Sequence, residues 1–449
     1  MKGCPATSER PVQDFARYLI PSMLTMIMLA VYTFTDTFVV GRRLGSTALG
    51  AMGVCTPVLT ITYAFGFLFG MGGASHYALC KGSGKTEKAR QYFSSSVWLA
   101  LITGSIAAIV LNLVAEPFAI FLGADNASLP YAMPYLRVLL CYIPGFMMDV
   151  LMMGFMKNEG HPTVAMVATI TGSLLNVVLD FVFVFGLDMG MFGAAFATAL
   201  CSGIGLCVNI FFAVFLHTNL RLEKPSWHPR AVWNIISNGF SILVLESSSG
   251  IVTFVFVHQA SRLYGENGAG IYTILMNWSL IFTNLTMGIA QAMQPLVSFA
   301  CGKERRSLMH GYLRLSILSS LVLGALDTVL TLALSSPMAS VFTDDSQAIL
   351  QGASHALRLY APAFLLMAFG ICIGYFFEAA AMAGKAACVM LLRGVVLPVA
   401  LSLSLPLVLG GTGLWTTMPA SEAVTAIVSL GLLRKSLSGP KARIPRAPE

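Results

Sequence analysis

The chain is written almost entirely in long apolar runs, separated by short polar segments. Twelve runs stand out, at roughly 15–40, 47–79, 91–115, 131–156, 163–187, 191–216, 231–260, 270–299, 312–336, 353–380, 386–409 and 413–433. A bilayer core needs about 20 apolar residues in helical form. Each run is long enough, and none alternates polar with apolar as a half-buried strand would. Gly and Pro inside many runs are compatible with a membrane bundle, where neighbouring helices satisfy freed backbone groups. The expected fold is therefore an all-α integral membrane protein with twelve transmembrane helices.

The polar segments set the expected orientation. Nineteen of the 27 Lys and Arg residues fall in the segments on the side of the termini, among them Lys2, Arg10, Lys81, Lys157, Lys224, Lys303, Lys441, Arg443 and Arg446. Only Arg42, Arg43 and Arg262 fall in the opposite loops. This bias predicts that both termini are cytoplasmic, which needs an even number of spans. The longest basic segment, HTNLRLEKPSWHPR, divides six runs from six. Around that midpoint the sequence repeats itself. Gly70-Met-Gly-Gly-Ala matches Gly288-Ile-Ala-Gln-Ala, Gly84-Lys85 matches Gly302-Lys303, and Pro144-Gly-Phe matches Pro362-Ala-Phe, all at one offset. Halves with an even number of spans enter the membrane in the same sense and are related by an axis along its normal. Residues 1–217 and 218–449 are thus expected to form two pseudo-symmetric six-helix bundles around a central cavity. In the second run, Gly66, Gly70 and Gly73 are expected to admit a close helix neighbour.

Composition narrows the function. Of 449 residues 56% are hydrophobic and 10% charged, with a net charge of +7. A soluble domain carries about 25% charged residues. The positive charge follows from the loop bias and suits anionic lipid headgroups, so nucleic acid is not an expected partner. Nine scattered cysteines, Cys4 included, form no CxxC pair and read as small apolar residues. The N-terminal segment is polar for too long to resemble a signal peptide, so the first run is expected to be retained.

Catalytic motifs are missing. Lys81 to Arg90, KGSGKTEKAR, superficially suggests a phosphate loop, but Leu79 stands where the first Gly is required. No HExxH or GxSxG occurs, and His76, His161, His258 and His310 have no ligand-spaced partners. Neither an enzyme nor a bound cofactor is expected. A channel or receptor is a weaker reading, because a two-half repeat suits alternating access.

The informative residues are carboxylates within or at the edge of apolar runs: Asp36, Asp149, Glu159, Asp180, Glu246, Asp327, Glu378 and Glu422. A charge at the bilayer centre costs several kcal/mol, so such groups usually face a cavity and handle protons or ions. Asp327, near the end of its run, is expected to reach water. Glu159 and Glu378 lie near helix ends on the terminal side and suit a structural or gating role. Asp36 lies deep in the first run with Thr33 three residues before it on nearly the same face. Asp180 follows Asn176 by four, so amide and carboxylate share a helix face. These oxygens could hold a proton or cation, or bond each other and a neighbouring helix.

Several strings resemble the MATE family, the multidrug and toxic compound extrusion transporters. They are IPSMLTMIMLAVYTFTDTFVVGRRLGSTALGAMGV, GFMKNEGHPTVAM, LLNVVLDFVFVFGLDMGMFGAAFATAL and MGIAQAMQPLVSFACGK, spread along the chain. Within the family they are most similar to the bacterial MepA-like group, beside the DinF-like branch. The resemblance implies a secondary antiporter in the bacterial plasma membrane. It would export amphiphilic, often cationic organic molecules against inward H+ or Na+ by alternating access, and is expected to act as a monomer. It implies ion coupling at Asp36, Asn176 and Asp180, where Na+ could also sit. Thr33, Glu159 and Glu246 become secondary coupling or gating candidates. Met147, Met153, Met287 and Met293 are candidates for a promiscuous cavity, which Met suits. Pro21 would help the first span bend. Glu378 is not assigned to the acidic tenth-span position of NorM-like members. The alternative is a flippase for lipid-linked saccharides in the same superfamily, which would favour a basic cavity.

Overall fold

The computed structural model describes residues 11–124, 126, 128–223, 229–341 and 347–437. Lys2, Cys4, Arg10, Lys224, Lys441, Arg443 and Arg446 lie outside the described residues. Twelve helical spans follow in order. They are α1 (Pro11–Gly45), α2 (Gly50–Gly82), α3 (Thr86–Leu113), α4 (Leu129–Cys141 with Ile143–Glu159), α5 (Pro162–Gly186) and α6 (Gly190–Phe215). The second half has α7 (Pro229–Tyr264), α8 (Gly270–Gly302), α9 (Arg306–Ser340), α10 (Gln347–Tyr360 with Pro362–Ala379), α11 (Ala383–Leu409) and α12 (Gly411–Ser436). Among the described residues eleven helices are long and apolar enough to cross a membrane alone, and α4, taken as one broken span, brings the total to twelve.

The repeat is visible in the breaks. The two parts of α4 are bent by 54° after Tyr142, where Pro144 opens the second part. In α10 the break falls at Ala361, before Pro362. Both prolines lack a backbone N–H and sit in a first helical turn, where that loss is tolerated. Spans α5 and α11 share another irregularity, a π-helical turn at Phe181–Gly186 and at Leu392–Val396.

Small residues set the packing. A Cβ on Gly66 would stand 3.1 Å from the Met147 Cα, and one on Gly70 2.9 Å from the Leu151 Cα. Two glycines four apart on α2 therefore meet two backbone positions four apart on α4. Without a hydrophobic drive between helices in lipid, such contact is a main source of cohesion. Inside each half the large buried side chains are aromatic, such as Tyr77, Phe146 and Phe155 in the first and Phe364, Phe376 and Trp415 in the second.

The two halves meet closely on the face that carries Pro11 and Leu437, called here the terminal face. Gly72 of α2 lies against Ile235 and Gly239 of α7, and Gly239 lies against the Leu68 carbonyl. Gly82 and Leu79 of α2 meet Phe299 and Gly302 of α8. A buried polar network joins the halves beside these crossings. The Lys157 ammonium donates to Gln291 at 2.9 Å, Asn158 to Gln294 at 3.0 Å, and Gln294 to the Ser75 hydroxyl at 2.8 Å. Ser75 in turn bonds Glu378. Nearer the ends, Tyr312 donates to Asp14 and Asn234 to Tyr92.

Candidate functional site

Asp36 lies in the half of α1 remote from the terminal face, and α5 brings Asn176 and Asp180 to it. The three residues are 5%, 2% and 0% exposed. Asp36 acts on Asp180 at Coulombic range, and Tyr135 of α4 lies within the field of both. Tyr32, one turn before Asp36, also senses its charge. No Lys or Arg stands within 4 Å of either carboxylate among the described residues. Asp36 Oδ1, both Asp180 oxygens and both polar atoms of the Asn176 amide have no hydrogen-bond partner within the protein.

These facts constrain the chemistry. Burying an ionised carboxylate without a partner costs several kcal/mol. Two such groups side by side repel as well. The cluster therefore requires positive charge from outside the chain. Its donors are all oxygens apart from the amide nitrogen, a set that suits a proton or a hard cation. No group of three or more His, Cys, Asp or Glu side chains capable of holding a metal ion is present among the described residues. Asn176 and Asp180 share a helix face, but they do not bond each other.

The other candidates lie elsewhere. Thr33 is exposed and its hydroxyl donates to the Leu29 carbonyl of its own helix, at 2.9 Å. Glu159 sits at the terminal face, where its partners saturate it. It accepts from the Tyr77 hydroxyl, from the Lys81 ammonium at 2.7 Å and from the Asn219 backbone at 3.1 Å. It ties α2 and α4 to the segment after α6. Glu246 is partly buried on α7 and close enough to Tyr375 of α10 to act on its hydroxyl. Met147 is wedged against Gly66 and Gly104, and Met293 is wholly buried in the second half. Met153 lies against Thr169 of α5, and Met287 packs on the second-half core.

Two expectations need correction. Asp327 does not reach water: it is 3% exposed, one turn from Gly324 on the face of α9 that packs against α10. Lys157 is no loop charge but the buried donor to Gln291, 2% exposed. Sequence reasoning also missed Arg393, whose Nε stands 2.9 Å from Glu422 Oε1 as a buried ion pair in the second half. An Arg inside an apolar run was the available signal.

A membrane bundle of two repeated six-helix halves, closed on one face and carrying a pair of neighbouring uncompensated acids in its first half, has the build of an alternating-access transporter. Both halves match the MatE family model, over residues 21–182 and 241–403, and the chain belongs to that family. It is similar to multidrug export protein MepA of Staphylococcus saprophyticus, at 23% identity over 95% of both chains. The MepA of Staphylococcus haemolyticus is 24% identical, again over 95% of each. Among solved structures, one of a MATE in the straight conformation has a TM-score of 0.91, with 24% identity and 98% of each chain covered. The same kind of protein in the bent conformation gives 0.88, covering 95% of this chain and 96% of the other. The outward-facing conformation of a multidrug resistance MATE transporter of the MOP superfamily gives 0.90 at 24% identity, covering 98% of each.

Proposed function

We propose that the chain is a secondary multidrug exporter that moves amphiphilic organic molecules, many of them cationic, out of a bacterial cell in exchange for H+ or Na+. The carrying observation is the Asp36, Asn176 and Asp180 cluster, buried and without a compensating charge in the protein. In this reading the terminal face is cytoplasmic, in keeping with the Lys and Arg bias. The described conformation is then the one sealed toward the cytoplasm. The cluster takes a proton or Na+ from outside. Occupancy stabilises one packing of α1 against α5 and weakens drug binding; the halves then rock, the ion leaves inward and drug enters. The ion shifts this equilibrium only by its different affinity for the two states. Pro21 offers a place for α1 to bend, although the helix runs through it without a break here. The chain works as a monomer and performs no covalent chemistry.

A saccharide flippase gains no support, because the buried cations Arg393 and Lys157 are engaged within the protein. The test is ethidium efflux from energised vesicles by the native chain, Asp36→Asn and Asp180→Asn, with Na+ present or absent and with the proton gradient collapsed. Efflux is expected to fall by roughly ten- to a hundredfold in either variant. Native-level efflux from both would refute coupling at this cluster.

A further inference from the structure

Glu378 lies one residue from the terminal-face end of α10 and is 0% exposed. Its side chain bonds across from the second half to the first, three residues from Gly72. Its Oε1 is bonded to the Ser75 hydroxyl of α2, and the Asn238 amide of α7 lies 3.4 Å from the same oxygen. Its Oε2 has no partner, and no cation stands within 4 Å among the described residues.

The protons around Ser75 can be counted. Its oxygen lies 2.8 Å from the Met71 carbonyl, receives the Gln294 amide at 2.8 Å, and contacts Glu378. A hydroxyl has one proton to give and two lone pairs. If Glu378 is ionised, Ser75 must choose between Met71 and Glu378. If Glu378 carries a proton, every contact is used: Ser75 donates to Met71 and accepts from Gln294 and Glu378. A neutral acid also removes the cost of an unpaired buried charge.

Nearby ionisable groups do not supply that charge. Tyr375 shares the helix, and Glu246 of α7 adds only a further acid. Lys157 of α4 is spent on Gln291, and Arg393 of α11 is held by Glu422 of α12. Lys385 of α11 donates to Ser436 at 2.7 Å. His76 of α2 bonds the Gly72 carbonyl and stacks on Tyr92, while α8 presents the neutral Gln291 and Gln294. Asp327 of α9 lies farther along its span, and Arg358 of α10 bonds Ser335 near the opposite end.

We propose that Glu378 is a proton-binding residue of the seal between the halves, neutral when the terminal face is closed and ionised when it opens. Resting on the alternating-access reading, the site is distinct from the Asp36 cluster. It fills and empties from one face only, so its proton gates the seal and does not drive transport.

The test reads the seal directly. Spin labels are placed at Ser83→Cys and Ser307→Cys, exposed residues beside the Gly82 and Gly302 crossing. The background has its native cysteines replaced and retains ethidium efflux. Distances are measured in lipid nanodiscs between about pH 6 and about pH 9, without substrate or gradient. The short-distance population is expected to fall at least about threefold as pH rises, and to stay high throughout in Glu378→Gln. Ser75→Ala is expected to weaken the seal at low pH and flatten its pH response. The native response is expected to persist in Asp36→Asn with Asp180→Asn. Efflux lost in that pair with the seal response intact separates this site from the coupling cluster. A pH-independent native seal, a native-like response in Glu378→Gln or Ser75→Ala, or a Glu378→Gln chain open at every pH would overturn the proposal.

Discussion

Adding one methyl group at Gly239 should open the terminal face. A Cβ there would collide with the Leu68 carbonyl oxygen and stand 2.7 Å from the Leu68 carbonyl carbon and 2.9 Å from its Cα. Carbon atoms prefer about 3.5–4.0 Å, so α2 and α7 must separate by roughly 1 Å. The obstacle is backbone on both sides, and no side chain can rotate away. Overpacking of this kind costs about 1–3 kcal/mol. In the proposed alternating-access cycle the cost falls on the sealed conformation, where the two halves touch at this point. The ratio of sealed to open molecules should drop by roughly five- to a hundredfold, at about 1.4 kcal/mol per tenfold. Labels at Ser83 and Ser307 report that ratio, and Ser237→Ala on the same helix serves as control. Gly72 faces the same crossing, with the Gly239 Cα 3.0 Å from a Cβ placed there. One separation relieves both clashes, so Gly72→Ala with Gly239→Ala should cost less than the sum of the two. A Gly239→Ala distance distribution identical to the native one would refute the reasoning.

Other perturbations separate structure from transport. Glu159→Gln breaks the buried contact with Lys81 and should lower stability by about 3 kcal/mol, read as a lower melting temperature in detergent. Arg393→Met leaves Glu422 unpaired and should destabilise by a similar amount, whereas Arg393→Met with Glu422→Leu should recover most of it; equal melting temperatures for the single and double variants would count against the pair. Asn176→Leu should keep the fold, since the amide has no partner to lose, while reducing dye efflux as Asp180→Asn does.

The spans were legible because length and hydropathy are local properties. The twelve runs and the helices agree to within a few residues, and even the matched prolines at 144 and 362 open the second parts of broken spans. The glycine stripe at Gly66 and Gly70 was readable for the same reason: helical spacing puts both on one face. What a carboxylate does is not local. Asp180 and Glu159 both sit at the edge of apolar runs, yet one lacks any partner and the other has Tyr77, Lys81 and Asn219 around it. Those partners are 60 to 82 residues away. Asp327 misled for a related reason: Gly324, one turn earlier, packs against Phe364 and Leu365 of α10, so a distant helix covers that face of α9. The methionines were chosen by residue type, which carries no direction.

The two halves are built alike but charged differently, and that difference bears on how transport can be driven. In both, the fifth helix of the repeat carries a π-helical turn, a feature frequent at functional sites. In the first half the residue before this turn is Asp180, beside Asp36, with no cation in reach. In the second half the turn contains Arg393, whose guanidinium already faces Glu422. An internal cation there does permanently what a mobile ion would do in turn. In the proposed mechanism a transported ion changes the energy of the first half by binding and leaving, but finds no uncompensated charge at the corresponding turn of the second. Under the proposed function the fold repeat supplies two similar rocking bodies, and a fixed cation in place of a mobile one leaves only the first of them responsive at this level of the bundle. Alternating access needs no more than that, because a bias on one body moves the interface shared by both.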